Sequence, residues 1–347
     1  MGASTDGSIA TLRVGMIGAG GIARVHMEAW RALGVSVEVY STDGGEALAA
    51  EYGITHVATL EDLLDRVDLV DIVTPSSTHR RVALAAINAG RHVICEKPLA
   101  ATSADAIEIT RAARRAGVQV YPAHVVRYFP EYEALKASID TGVIGDPAVL
   151  RFTRAGEAPR ADSWFFDEAD GGGLVLDQMI HDLDQARWLA GEVGTVYAVQ
   201  NPATVDGRVA PIVTAHVILT HVSGAISYVQ GFWGPPGLTF RTSVDVAGSG
   251  GLLGYESPDD GAVRVDVPFA AAEGDYLPGT RHADDPYARE LRDFAEALAG
   301  GPTPRVGLED GILAVALAEA AQASIVSGRP VAFDADSVIA KLGEAAK

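Results

Sequence analysis

Short runs of Val, Ile and Leu alternate with helix-period stretches through the first third of the chain, and the alternation predicts β-α-β units. Strands are predicted at 12–17, 35–40, 69–74, 92–95 and 118–121. Helices are predicted between them at 22–33, 46–52, 60–66, 80–89 and 104–116. Gly34, Gly53, Gly90 and Gly117 stand after four of these helices as C-terminal stops. Nearly continuous apolar strands imply a parallel sheet covered on both faces. Right-handed crossovers then make it doubly wound, with its ligand at the C-terminal strand edge.

The pattern changes after about Tyr128. A helix at 131–139, a strand at 148–152 and a helix at 173–189 are followed by strands at 196–200, 213–220, 225–232, 240–247 and 263–267. Strands in succession with only tight connections, one of them Gly234-Pro235-Pro236-Gly237, predict a large, mostly antiparallel sheet. Helices at 287–299 and 308–326 and a short strand at 330–333 close the chain. The expected class is α/β, with a doubly wound Rossmann domain for a dinucleotide at 1–127. An α+β domain at 128–347 is expected to bind substrate and to pair subunits.

Composition narrows the partners. A length of 347 residues with 48% hydrophobic content suits two packed domains. A formal charge of −19 opposes an extended nucleic-acid footprint and attraction to anionic lipid. Cys95 is the single cysteine, which excludes an internal disulfide and a thiolate-rich metal site. No apolar run reads as a bilayer span, and residues 1–11 lack the apolar segment of a signal peptide. A cytoplasmic location is expected.

Gly18-Ala19-Gly20-Gly21-Ile22-Ala23 lies between the first predicted strand and the first predicted helix. Gly18 suits the tight turn, Gly20 a close approach of backbone to a pyrophosphate, and Ala23 close helix–strand packing. Gly21 and Ile22 open a helix whose first N–H groups face that pyrophosphate. The bland alternative is a plain strand–helix turn. Ser41 stands where an acid would read the adenine ribose. Ser41 and Thr42 offer hydroxyls to a 2′-phosphate and tilt the choice slightly to NADP, while Asp43 could still reach a ribose. The cofactor is therefore expected to be NAD or NADP.

Lys97 is one of four lysines and sits between Glu96 and Pro98, just after a predicted strand. Asp177 and His181 are four residues apart and so share a helix face. Taken alone, that pair is catalytic, helix-stabilising or, with Asp182 and Asp184, part of a metal site. No further His or Cys stands at ligand spacing, so no metal is expected.

The runs Thr74–His79, Ala89–Leu99, Gly171–Asp184 and Asp285–Leu291 resemble the Gfo/Idh/MocA oxidoreductases, which include glucose–fructose oxidoreductase and inositol dehydrogenases. The resemblance covers nearly the whole chain. It implies an NAD(P)-dependent dehydrogenase acting on CH–OH. It assigns proton transfer to His181, whose side-chain type titrates near neutrality. Asp177 would orient the hydroxyl or hold the imidazole, and Lys97 would reach the same hydroxyl from the nicotinamide side. The resemblance also places Thr74, Pro75, Ser76 and His79 along the cofactor, with Glu96 and Lys97 beside it. His79 reads equally well as an exposed helix start.

Substrate contacts are expected from His124, Arg127, Tyr128 and Trp164, because sugar rings stack on aromatic faces and bond at their rims. A cyclic polyol or sugar, inositol-like, is the expected substrate of a homodimer or homotetramer. Two alternatives stand beside this reading. One is glycoside cleavage with tightly held NAD; the other is a non-catalytic sugar sensor, against which intact Lys97, Asp177 and His181 argue.

Overall fold

The computed structural model describes Ile9 and residues 11–160, 163–257 and 285–343; the strand expected at 263–267 lies outside the described residues. The first stretch carries β1 (Arg13–Ile17), α1 (Gly21–Ala32), β2 (Ser36–Tyr40), α2 (Gly45–Tyr52), β3 (Thr55–His56), α3 (Leu60–Arg66), β4 (Leu69–Ile72), α4 (His79–Asn88), β5 (His92–Glu96), α5 (Ser103–Ala116) and β6 (Val120–Ala123). Next come α6 (Pro130–Asp140), β7 (Pro147–Glu157), a π-helical segment (Val175–Met179), α7 (Ile180–Ala190), β8 (Val193–Asn201), β9 (Val213–His221), β10 (Ile226–Gly234), β11 (Arg241–Gly248) and β12 (Gly251–Glu256). The end of the chain adds α8 (Pro286–Leu298), α9 (Leu308–Ser327), β13 (Val331–Ala332) and α10 (Ala335–Ala340).

Two compact units emerge. One contains the chain to Ala100, Ala104–Tyr128 and, returning from the far end, residues 285–312; the other runs from Phe129 and resumes at Leu313. The expected contiguous split at 127/128 therefore needs a correction, because α8 belongs with the nucleotide-binding unit. It packs on α1, with the His26 and Tyr287 rings 5.9 Å apart.

In that unit six parallel strands lie in the order β3-β2-β1-β4-β5-β6. The sheet grows one way from β1 through β2 and the other way through β4. The crevice beyond the C-terminal ends of β1 and β4 is thus the topological switch point where such sheets bind ligands. Val14, Met16, Val37, Val39, Leu69, Val70, Ile72, Val93 and Ile94 are all buried, as expected of a sheet covered on both faces. The two-residue β3 is too short to show a period in sequence.

The second unit holds a seven-stranded sheet in the order β12-β11-β7-β10-β9-β8-β13. Only β7 and β10 pair in parallel; the other pairs are antiparallel. Ala198, Val217, Val229, Phe152 and Val244 form one buried row across it. The opposite face carries Tyr197, Ile218 and Tyr228 in register, half-buried or exposed. Among the described residues α9 is the one helix long and apolar enough to cross a membrane, contrary to the sequence expectation. Its Ile312, Leu313, Val315, Leu317 and Ala321 are buried within the protein, which accounts for its composition.

Candidate active site

The glycine turn is shaped for a phosphate. Gly18 has φ +117°, and a Cβ there would lie 2.6 Å from the Val73 carbonyl oxygen, so only glycine fits. Its N–H donates to the Tyr40 carbonyl at 3.0 Å, tying the turn to β2. Gly20, by contrast, has open space where a side chain would stand. It begins α1 with no side-chain cap, and the first turn holds no acid. Gly20 and Gly21 are exposed and Ile22 half-buried, while Ala23 is fully buried against the sheet. Uncapped N–H groups, the positive end of a 12-residue helix and an unobstructed approach fit a dinucleotide pyrophosphate.

At the end of β2 the Ser41 hydroxyl donates to the Asp43 carbonyl at 2.6 Å and accepts from the Asp43 N–H at 3.4 Å. Its hydrogen is therefore spent within the turn. Thr42 and Asp43 are exposed.

Beyond β4, Thr74 and Pro75 are half-buried and Ser76 is buried; the Thr78 hydroxyl donates to Thr74 Oγ1 at 2.7 Å. His79 corrects the reading of an exposed helix start. Its ring is buried, with Nδ1 2.8 Å from the Pro98 carbonyl and Nε2 2.9 Å from the Thr74 carbonyl. Burial lowers its pKa against the opposing pull of those two carbonyls. His79 thus braces the segment after β4 against the segment after β5.

Lys97, half-buried, follows β5 directly, and its peptide bond to Pro98 is cis. Glu96 is buried, and its Oε2 accepts the Lys97 backbone N–H at 2.9 Å. Behind it lies a cluster that sequence reasoning missed. His26 on α1 is fully buried, with Nδ1 3.0 Å from Asp71 Oδ2 and Nε2 3.1 Å from Glu96 Oε1. The Trp30 indole N–H donates to Asp71 Oδ2 at 2.8 Å. Burial opposes charge on His26, yet the flanking Asp71 and Glu96 carboxylates raise its pKa well above the ordinary value. Burial likewise opposes charge on Glu96, but His26 and Lys97 hold its pKa down. The signal was present in β4: Asp71 is a lone acid inside the apolar run 69–73, and a buried acid needs a partner.

Three of the expected substrate residues follow β6 directly, His124 at its end and Arg127 and Tyr128 in the turn after it. Arg127 donates to the Arg305 carbonyl at 3.4 Å and pairs with Asp310 at 3.2 Å. The Tyr128 hydroxyl donates to Asp293 at 2.7 Å, and burial with Glu290 and Asp293 nearby pushes the phenol pKa up. Arg305 lies over the Tyr128 ring and donates to the Arg127 carbonyl at 2.6 Å. These bonds make Arg127 and Tyr128 a clamp for residues 285–312. The His124 ring is buried as well.

In the second unit the expected helix is interrupted. Asp177 lies in the π-helical segment and is buried, while His181, half-buried, stands in the first turn of α7. π turns of this kind recur at functional sites because they re-aim side chains. Gly231 of β10 passes beneath the segment, where a Cβ would meet Met179 at 2.4 Å. Asp182 is gripped by Arg154 through two bonds of 2.9 and 2.8 Å, both groups buried. Its oxygens are thereby committed to a guanidinium instead of a metal. Trp164 is half-buried and stacks on Phe165 with ring centroids 3.9 Å apart.

Comparison with known proteins supplies the context. A family described as an oxidoreductase family with an NAD-binding Rossmann fold matches residues 12–124. A GFO/IDH/MocA C-terminal domain matches 132–253, and an oxidoreductase-family C-terminal alpha/beta domain matches 276–333. Inositol 2-dehydrogenase 2 of Mycolicibacterium vanbaalenii is 31% identical across 93% of this chain and 94% of its own length. The 1,5-anhydro-D-fructose reductase of Ensifer adhaerens is 40% identical over 52% of this chain and 57% of that protein. Among solved structures, GenD2 from gentamicin A biosynthesis, in complex with NAD, superposes with a TM-score of 0.80 at 27% identity, covering 93% of this chain and 96% of that one.

Proposed function

The chain belongs to the Gfo/Idh/MocA oxidoreductase family, and from that premise we propose that it oxidises a secondary hydroxyl of an inositol-like cyclic polyol with NAD. It is an NAD(P)-dependent oxidoreductase acting on the CH–OH group of a sugar or polyol. The observation that carries the reading is the pairing, one helical turn apart, of buried Asp177 with half-buried His181.

When bound, the nicotinamide supplies the acceptor for the hydride leaving carbon. The chain's own groups handle the proton. A ring nitrogen of His181 takes the hydroxyl proton, which suits an imidazole near neutral pH. Asp177 orients the imidazole or the hydroxyl. Lys97 donates to the same oxygen and stabilises its developing negative charge. Gly18, Gly20 and the first turn of α1 hold the pyrophosphate.

Two details refine the reading. NAD is proposed over the NADP suggested by Ser41, a choice supported by the Ser41 hydroxyl donating to the Asp43 carbonyl within its own turn. The Asp43 carboxylate would repel that phosphate and accept from a ribose hydroxyl. The inositol preference rests on full-length similarity to inositol 2-dehydrogenases, whereas the anhydrofructose relative matches about half of the chain. The outer sheet face with Tyr197, Ile218 and Tyr228 is proposed to pair with a second copy, as a dimer or tetramer, and light scattering would reveal a monomer if that is wrong.

The test is a panel of inositols, aldoses and anhydrosugars with NAD and NADP, followed by absorbance of the reduced nicotinamide. Turnover of myo-inositol with NAD is expected, with loss of orders of magnitude in Lys97→Ala and His181→Ala and little change in NADH affinity. Oxidation of aldoses alone would overturn the inositol assignment, and full turnover in either variant would remove that residue from the mechanism.

A further inference from the structure

Both ring nitrogens of His26 face carboxylate oxygens, Nδ1 that of Asp71 at 3.0 Å and Nε2 that of Glu96 at 3.1 Å. A neutral imidazole has one N–H and would turn a lone pair on the other carboxylate; only an imidazolium donates to both. Glu96 in turn spends its second oxygen on the Lys97 backbone N–H at 2.9 Å. A chain of charge-assisted bonds thus runs from a central strand of the sheet to the residue that starts the Lys97 side chain.

Resting on the reading of Lys97 as the group that meets the reacting hydroxyl, we propose that His26 is a positioning residue for Lys97: anchored by Asp71, it holds the Glu96 carboxylate in the orientation that receives the Lys97 N–H. Removing His26 leaves Glu96 buried beside other acids with no counter-charge beneath it. The carboxylate then protonates or turns, and the backbone at Lys97 loses its bracket.

Every packed element contributes to this balance. From α1 come His26 and Trp30, whose indole N–H occupies Asp71 Oδ2 at 2.8 Å. β4 supplies Asp71, and β5 supplies Glu96 with Lys97 after it. From α8 come Tyr287, its ring 5.9 Å from that of His26, and Glu290, fully buried with neither carboxyl oxygen hydrogen-bonded; Asp293 lies further along the same helix. Burial raises the Glu290 pKa well above the ordinary carboxylate value, assisted by Glu96 and Asp71, which favours its neutral form. The imidazolium is then the counter-ion placed between the Asp71 and Glu96 carboxylates in the interior. The same helix that opens the phosphate cradle at Gly20 carries His26 two turns in. Cofactor cradle and lysine are thereby placed by one rigid element.

Two kinds of measurement test this. In wild-type protein labelled with ¹⁵N, both His26 ring nitrogens should be protonated at pH 7, and the Lys97 backbone amide should resonate downfield as a donor to a carboxylate. In His26→Gln that amide should move upfield. A neutral His26 tautomer at pH 7, or an unmoved Lys97 amide, overturns the proposal whether or not any polyol is turned over. In kinetics with NAD and myo-inositol, His26→Gln and Glu96→Gln should each lower kcat by roughly 10- to 100-fold while the NADH Kd stays within about two-fold. The double variant should be no slower than Glu96→Gln, because His26 acts through Glu96; multiplied losses would mean an independent structural role and overturn it. Should His26→Gln not fold, Asp71→Asn, which keeps the imidazole and removes its anchor, should shift the same Lys97 amide. Full turnover in Lys97→Ala would instead remove the reading of Lys97 itself, leaving the proton state of His26 to stand on its own spectrum.

Discussion

Replacing Glu290 by glutamine isolates the thermodynamic effect of one buried proton. Glu290 is fully buried, and both its oxygens lack a hydrogen-bond partner. Burial, reinforced by Glu96, Asp71 and Asp293 and opposed by His26, raises its pKa well above the ordinary carboxylate value. Above about pH 4.3 the unfolded chain releases this proton while the folded chain keeps it. A group raised in this way contributes stability that is complete below the unfolded pKa and disappears as pH climbs through the folded one. Each pH unit in that window lowers the unfolding free energy by about 1.4 kcal/mol. Glutamine has nearly the same shape and no such proton, so this slope vanishes in Glu290→Gln. Any cost of the unpaired amide is constant with pH and appears as an offset. Between pH 5 and 7 the stability of the variant relative to wild type should therefore improve with rising pH, by on the order of 1 kcal/mol for each pH unit over which the folded chain keeps the proton. His26, also raised, is present in both proteins and cancels to first order. Urea unfolding of the two proteins at pH 5, 6 and 7, followed by tryptophan fluorescence, supplies the comparison. Parallel pH dependences would show that Glu290 is ionised in the folded state and refute the reasoning.

Three further outcomes are expected. Gly18→Ala places a Cβ 2.6 Å from the Val73 carbonyl at a φ of +117°, so the turn must shift; NADH affinity by fluorescence titration should weaken at least about ten-fold. Asp43→Asn removes the charge that opposes a 2′-phosphate, and the ratio of kcat/KM for NAD over NADP should fall; an unchanged ratio would place the ribose contact elsewhere. Asp182→Ala leaves the buried Arg154 guanidinium without its partner and should cost about 3–5 kcal/mol in chemical denaturation. Chelators should leave the Asp182 region unaffected if its carboxylate serves only that ion pair.

The parts of the protein readable from sequence are those where one residue type alone meets a local need. Gly18 and Ala23 declare themselves because a tight turn and close packing demand small residues at that spacing. Asp177 and His181 were visible as a helical pair, although the π turn between them was not, since it arises from how the segment rests on Gly231 of β10. The clamp formed by Arg127 and Tyr128 was hidden because their partners Arg305 and Asp293 lie 178 and 165 residues further along, and no local period reports such contacts. The return of α8 to the first unit was hidden for the same reason, as was the role of Glu290. His26 could have been suspected: with Trp30 it forms an i, i+4 pair on the buried face of α1, opposite the single acid of β4.

A common device supports the two catalytic candidates. Lys97 follows Glu96, which is buried and held by His26; His181 precedes Asp182, which is buried and held by Arg154. In each case the reactive side chain is half-buried, while its neighbour in sequence is fixed inside the fold by charge-assisted bonds. Apolar packing could anchor these neighbours with less desolvation, since buried ion pairs are seldom more stabilising than well-packed hydrophobic residues. What the ion pairs add is direction. A carboxylate gripped at two oxygens has one orientation, whereas a leucine slides among several rotamers, and proton transfer fails when donor and acceptor drift by about an ångström. The same logic separates the two sites in their response to mutation. A hydrophobic isostere at Arg154 and Asp182 together should restore stability without restoring kcat, because it refills the space and leaves His181 without a directional anchor. Recovery of both would mean that packing alone positions the imidazole.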